Sequence, residues 1–460
     1  MNTSTDPRKV LDQTAMTTPM IIVVAITVFL NAMDGFDVLA ISFASPGIAD
    51  EWGISAAGLG FVLSAELIGM AIGSIFLGGV ADGLGRRKTL LGCLIVMAFG
   101  MFLATTSSSA IILCVWRVLT GLGIGGMLSC TNATVAEFSN NKWRSLCISL
   151  MVIGYPLGGV FGGMIARSYL LVNFDWRSVF YFGAIVTGAL IPIVYFLVPE
   201  SVHWLTRKQP EGALDKVNAS MAKLGKESVS TLPEVDEEEK KKSVADIFSP
   251  TLAMTTIIVT AAYFFHITTF YFILKWTPKI VADMGFAAAA AGGVLTWANV
   301  GGAIGGATFG VLTARIGLKP LTIWILLLTF VGVAVFGRTP ADLDRMALLA
   351  AFAGFFGNAG VSGLYSIVAY SFPTHVRATG TGFVIGVGRA GAVLAPILAG
   401  FLFEADKGLP TVAMVLAAGS LLAAIALLFL KMKTDDPQEL AAAEAESEPQ
   451  AEGMGMPAAT

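Results

Sequence analysis

Apolar runs long enough to span a bilayer alternate with short polar breaks along almost the whole chain. Crossing the hydrocarbon core as a helix takes about 20 predominantly apolar residues. Windows of that size fall near 20–44, 55–80, 89–106, 108–134, 145–171 and 178–198, then near 251–274, 286–314, 319–337, 344–371, 379–403 and 410–431. The pattern predicts an all-α integral membrane protein with twelve transmembrane helices in two six-helix halves, 20–198 and 250–431. Residues 1–19 read as a polar tail. The stretch 199–249 divides the halves and carries Asp236-Glu-Glu-Glu followed by Lys240-Lys-Lys. Within it Leu214, Val217, Met221 and Leu224 recur at helical spacing, which predicts a short amphipathic helix on the membrane surface. The end, 432–460, is rich in Ala and Glu, lacks aromatics and reads as a disordered tail.

Composition narrows the class. Only 13% of residues are charged and 55% are hydrophobic, with a mean hydropathy of +0.76, against about 25% charged in a soluble domain. A soluble enzyme, a secreted disulfide scaffold and a nucleic-acid binder are excluded, and the net charge of -3 implies no polyanionic partner. Cys93, Cys114, Cys130 and Cys147 lie in or beside apolar runs without a CxxC pair, so they read as small hydrophobes and not as metal or redox ligands. The first run contains Asp34 and Asp37, unlike the apolar core of a cleaved signal peptide, and should be retained. With the N-terminus in the cytoplasm, twenty of the 29 Lys and Arg fall on that side. Seven, among them Lys275 and Lys279, fall on the other. That bias predicts both termini cytoplasmic.

The halves read as copies. Residues 78–88, GGVADGLGRRK, and 310–320, GVLTARIGLKP, align at an offset of 232, which pairs Gly78 with Gly310, Gly85 with Gly317 and Arg87 with Lys319. The same offset pairs Gly154 with Gly386 and Gly159 with Gly391. Duplicated six-helix halves are a transporter architecture, with the substrate near the midplane between them. GxxxG pairs such as Gly121/Gly125 and Gly154/Gly158 allow close helix approach, on faces that can slide as the halves rock.

Ionisable residues inside spans need a reason to be there. Asp34 and Asp37 are three apart and share a helical face. Two carboxylates this close in low dielectric resist ionising together, the property a proton carrier needs; the bland alternative is a salt bridge that only supports packing. Arg117 and Arg389 supply one permanent cation to each half, each able to clamp a carboxylate through two parallel hydrogen bonds. Permanent pairing with Asp34 or Asp37 is the alternative for them. Glu66 stands as a second proton site or a helix–helix hydrogen bonder, and His266 as a packing hydrogen bonder. The aromatic run 263–272 offers Phe265, Thr269 and Phe272 to a ring-shaped substrate, unless it faces lipid. Asp82, with Arg86 and Arg87 close by, suits a latch between states, and Glu137 a gate or loop salt bridge.

Up to about residue 431 the chain resembles the major facilitator superfamily, on the loop 78–88 and on the run PESVHWL at 199–205. Ala314 stands where the second loop copy would carry the signature acid, so the latch should be one-sided. Within the superfamily, DGFD at 34–37 and GVGRAGAVLAP at 386–396 resemble the aromatic acid:proton symporters. That resemblance implies transport roles for Asp34, Asp37, Arg117, Glu137, Arg377 and Arg389. It implies small benzoate-like or lignin-derived carboxylates and protons as cargo, no cofactor, and a bacterial inner-membrane location. A monomer is expected. The rivals are a proton-coupled antiporter, whose fifth-span proline is replaced here by Gly159, and a transporter-shaped sensor, which would need a folded output segment. No nucleophile–base pair supports an enzyme.

Overall fold

The computed structural model describes residues 6–233, 247–372 and 376–431. The acidic and basic run at 236–242 and the tail 432–460 lie outside them. Twelve long helices follow the predicted windows. They are α1 (Thr18–Trp52), α2 (Ala56–Leu84), α3 (Arg86–Thr105), α4 (Ala110–Glu137), α5 (Arg144–Ile165) and α6 (Arg177–Leu197), then α7 (Ala253–Asp283), α8 (Ala288–Ile316), α9 (Leu318–Phe336), α10 (Leu343–Ser371), α11 (Arg377–Glu404) and α12 (Leu409–Leu428). Starts follow capping chemistry. Thr17, Ser55, Ser109 and Asp342 accept main-chain N–H groups of α1, α2, α4 and α10, satisfying donors that the helix itself leaves free. Eleven of the twelve are long and apolar enough to cross a membrane; α8 is the exception. Its seven glycines and Asn299 dilute its hydropathy.

The duplication is visible in the backbone. Gly85 joins α2 to α3 at φ +99, and Gly317 joins α8 to α9 at φ +84, so each one-residue joint uses a conformation that L side chains rarely adopt. The tight seams repeat as well. Gly69 and Gly73 of α2 face the carbonyls of Val118 and Leu122, as Gly301 and Gly305 of α8 face those of Ala351 and Phe355. Gly158 of α5 meets the Ala32 carbonyl as Gly391 of α11 meets that of Phe264. The offset is therefore 232 for α1/α7 and α2/α8 but 233 for α4/α10 and α5/α11. Gly391 matches Gly158, one residue before the Gly159 that the sequence alignment pairs with it.

The helix anticipated on the membrane surface exists at Ala213–Lys223. Most of its apolar stripe turns into the protein: Val217, Met221 and Leu224 are fully buried within the core, and Leu214 is half-buried. The Leu224 carbonyl accepts from the Thr17 hydroxyl at 2.6 Å, and the Ala15 carbonyl accepts from Lys226 at 2.7 Å, so the connection is tied to the start of α1. The N-terminal stretch is likewise docked, through a short helix (Pro7–Gln13) whose Asp12 pairs with Arg144 at 2.5 Å.

The antiparallel α2/α11 pair shows which end of the bundle is shut. At the end away from the N-terminus, an added Cβ on Gly400 would strike Ala56, and one on Gly60 would strike Pro396. The Ser64 hydroxyl there donates to the Val393 carbonyl at 2.8 Å. Toward the amino-terminal face, Gly79 and Gly83 of α2 and Gly382 and Gly386 of α11 have nothing within 4 Å of an added Cβ. The two helices diverge there. The bundle is closed at the opposite face and open at the amino-terminal one.

Candidate functional site

Six charged side chains gather in the middle of the bundle. Asp34 and Asp37 on α1, Glu66 on α2, Arg117 on α4 and Lys275 on α7 are all 0% exposed, while Arg389 on α11 is half-buried. Their formal charges sum to zero, which removes the largest cost of holding ions in low dielectric. The alternative pairing of Arg117 with an aspartate side chain does not occur. Its guanidinium Nη2 lies 2.5 Å from the Glu66 carboxylate and donates to the main-chain carbonyl of Asp37 at 2.8 Å. Its Nη1 sits 3.0 Å from the Met101 sulfur, and the Phe180 ring lies 5.2 Å away. Glu66, the lesser candidate from sequence, is the acid at the centre of the cluster.

Among the described residues no side chain donates to either oxygen of Asp34 or of Asp37. Asp34 lies in the field of Asp37, Glu66 and Arg389, and Asp37 in that of Arg117 and Glu66. The pair is thus bracketed by one cation from each half and left free of hydrogen-bonded commitment. Arg389 donates to the Ser74 hydroxyl at 2.6 Å and to the Met70 carbonyl at 3.4 Å. Among the described residues no carboxylate lies within ion-pair distance of it.

The three ring-binding candidates on α7 have protein neighbours. Thr269 donates to the Leu416 carbonyl at 2.6 Å and accepts from the Ser420 N–H at 2.9 Å, so it faces α12. Phe272 is fully buried, and the Phe265 carbonyl lies against Gly419 of α12. His266 packs as anticipated, with Nδ1 2.9 Å from the Ser420 hydroxyl and Nε2 2.9 Å from the Gly357 carbonyl. Tyr263 and Tyr365 stack at 5.6 Å with their hydroxyls 3.2 Å apart, and Tyr155 of α5 meets Tyr271 of α7 across the halves. Arg389 acts electrostatically on both Tyr263 and Tyr271. Two hollows, of 210 and 470 Å³, open near Trp276 and Trp176 at the opposite face and touch none of the six charges.

Lys275 is the residue that sequence reasoning misplaced. The seventh apolar window ends at 274, which put this lysine outside the membrane; α7 continues to Asp283 and carries it inside.

At the amino-terminal face Arg86 pairs with Asp82 at 2.8 Å and with Glu137 at 3.0 Å. The segment after α6 completes the group. Glu200 accepts the main-chain N–H groups of Arg86 and Arg87 at 2.7 and 3.1 Å, an anion at a helix start. Arg207 reaches Asp82 at 3.0 Å, and the Trp204 indole donates to the Asp82 carbonyl at 2.9 Å. Arg377 is not part of this group; its Nε donates to the Phe372 carbonyl at 3.3 Å. Since Asp82 joins Arg86 to Arg207, Asp82→Asn is expected to slow turnover by about tenfold with equilibrium binding unchanged, on the scale of one charge-assisted bond. Exchange rates against binding isotherms test this; unchanged turnover would reduce the loop to a topology signal.

Comparison with known proteins agrees with this architecture. The sequence profile of the Major Facilitator Superfamily matches residues 24–302 and 256–453. The gallate transporter of Pseudomonas putida is 29% identical over 86% of this chain and 88% of its own. The benzoate transport protein of Acinetobacter baylyi is 28% identical over 83% of each. Among solved structures, a D-xylose–proton symporter superposes with a TM-score of 0.71 at 15% identity, covering 91% of this chain and 100% of that one. The inward open conformation of the xylose transporter XylE from E. coli gives 0.69 at 16% identity, over 92% and 99%. The chain belongs to the major facilitator superfamily, and is a membrane-spanning transporter of twelve helices in two halves and not an enzyme.

Proposed function

We propose that this transporter imports small aromatic carboxylates together with protons across the bacterial inner membrane, with both termini in the cytoplasm. The observation that carries the reading is Arg389, a permanent cation without an ion-pair partner among the described residues. It stands at mid-bundle, within electrostatic reach of Tyr263 and Tyr271. A planar carboxylate matches the guanidinium fork, and the tyrosines supply aromatic faces and hydroxyls for a ring. The named relatives point the same way, since they carry gallate, benzoate and, for PcaK of P. putida, 4-hydroxybenzoate.

Asp34 is the group through which proton and substrate communicate. Ionised, it attracts Arg389; protonated, it releases Arg389 to the substrate. Asp37, beside Arg117, completes the carrier pair. The amino-terminal opening is then the cytoplasmic one, a reading that the distribution of Lys and Arg supports.

The test is uptake of labelled benzoate and 4-hydroxybenzoate into proteoliposomes under an inward-directed proton gradient, with a panel of hydroxylated and methoxylated benzoates as competitors. Accumulation that collapses with a protonophore supports symport. Extrusion driven by protons would establish the antiport reading, and binding without flux would establish a sensor. In the same assay Arg389→Lys should weaken substrate binding by about tenfold or more, because a point charge replaces the fork at the cost of roughly one charge-assisted hydrogen bond. Wild-type affinity in that variant would make Arg389 structural.

A further inference from the structure

Lys275 is a buried cation that the transport reading leaves unused, and its position gives it a task. It belongs to α7 in the second half, yet both of its partners are in the first. Its ammonium donates to the Val38 carbonyl of α1 and lies 3.7 Å from the Glu66 carboxylate of α2. All three groups are closed to solvent, with Lys275 and Glu66 both at 0% exposure.

Its level in the bundle matters as much as its partners. Glu66 lies four and eight residues along α2 from Met70 and Ser74, the two partners of Arg389. At 1.5 Å per residue that sets the lysine–glutamate contact about 6–12 Å nearer the closed face than Arg389. Anything that reaches Arg389 from that face must pass the level at which Lys275 bridges the halves. Opening the closed face means parting α1 from α7 and α2 from α11. Separation of those helices withdraws the ammonium from both partners at once.

We infer that Lys275 is an inter-half latch, a positioning residue whose ammonium holds the face opposite the amino-terminus shut by bridging α7 to the Val38 carbonyl and the Glu66 carboxylate. Arg117 keeps Glu66 oriented for it from the other side, 2.5 Å away. Because Arg117 remains paired with Glu66 when Lys275 is neutralised, the latch can be removed without leaving that acid without a cation.

The experiment reads the seam directly and requires no knowledge of the cargo. In full-length protein with the four native cysteines replaced by serine, Ser64→Cys places a thiol on the closed α2/α11 seam, where Ser64 is 0% exposed. A membrane-impermeant maleimide is then applied from the opposite face of oriented vesicles. Lys275→Met should raise the labelling rate by about fivefold or more, the lower end of ordinary coupling between two states. Lys275→Arg, which keeps the charge, should stay at the parental rate. Lys279→Met, one turn on and paired instead with Asp283, should also leave it unchanged. Lys275→Gln, neutral but still a donor for the Val38 carbonyl, replaces the methionine variant if that one fails to insert, and should also label faster.

Parental labelling in the neutral variants overturns the latch. Equal rises in the arginine and neutral variants overturn it too, since packing and not charge would then hold the seam. So does failure of both neutral variants to insert while the arginine variant inserts, because the charge would then serve folding.

Discussion

Asparagine at position 34 or 37 is expected to abolish accumulation of the transported acid against its gradient while leaving exchange of labelled for unlabelled substrate intact. Asparagine keeps the volume of the side chain and removes only its capacity to take up and release a proton. Both aspartates are fully buried, and among the described residues no side chain donates to their carboxylate oxygens, so neither substitution breaks a described bond that supports the fold. The link from Arg117 to position 37 runs through the main-chain carbonyl, which the substitution leaves in place. Each coupled proton contributes about tenfold in accumulation per unit of pH gradient. Loss of one carrier should therefore show as at least that decrease, with the exchange rate preserved. Reconstituted protein under an imposed pH gradient gives both readouts, and undiminished accumulation in either variant would remove that residue from the coupling role.

How far these roles could be read from sequence depends on what kind of signal each residue leaves. The twelve spans, the Gly85 and Gly317 joints and the Asp34/Asp37 pair are local patterns, and the structure places all of them where the pattern does. What fails is anything that depends on which neighbour a helix face meets. An all-round apolar helix does not announce its inward side. The aromatic run of α7 offered Phe265, Thr269 and Phe272 equally well, but the residues on its other side, Tyr263 and Tyr271, lie toward Arg389. Helix ends are the other weak point. A window closed at 274, nine residues before the end of α7, was enough to turn Lys275 from a buried cation into a loop charge. Glu66 was legible as an anomaly, but its partners come from α4 and α7, and no spacing within α2 could name them. The run at 199–205 shows the reverse case. Its match to a family motif was visible, while its work, capping α3 through Glu200 and holding Asp82 through Trp204, appears only in three dimensions.

Glu66→Gln should be the most damaging single change among the buried charges. Glu66 is the only carboxylate within ion-pair distance of Arg117 or Lys275 among the described residues. Its neutralisation leaves two adjacent cations in the bundle without an acid. Arg117 cannot relieve this by losing a proton. Breaking a buried pair by removing one partner costs about 3–5 kcal/mol, and here one substitution removes the partner of two. Arg117→Met is less severe, because Lys275 remains beside Glu66, and Lys275→Met is milder still, because the Arg117 pair at 2.5 Å persists. The expected order of thermal stability in detergent is therefore wild type, Lys275→Met, Arg117→Met, Glu66→Gln, from highest to lowest. A second consequence separates this account from simple loss of packing. With Glu66 neutral, Asp37, whose main-chain carbonyl already accepts from Arg117, is the carboxylate left to pair with that guanidinium. Any Glu66→Gln protein that does insert should consequently lose accumulation as fully as Asp37→Asn does. Equal stability of the three variants, or proton-driven accumulation in Glu66→Gln, would show that Glu66 is not the acid that balances both cations.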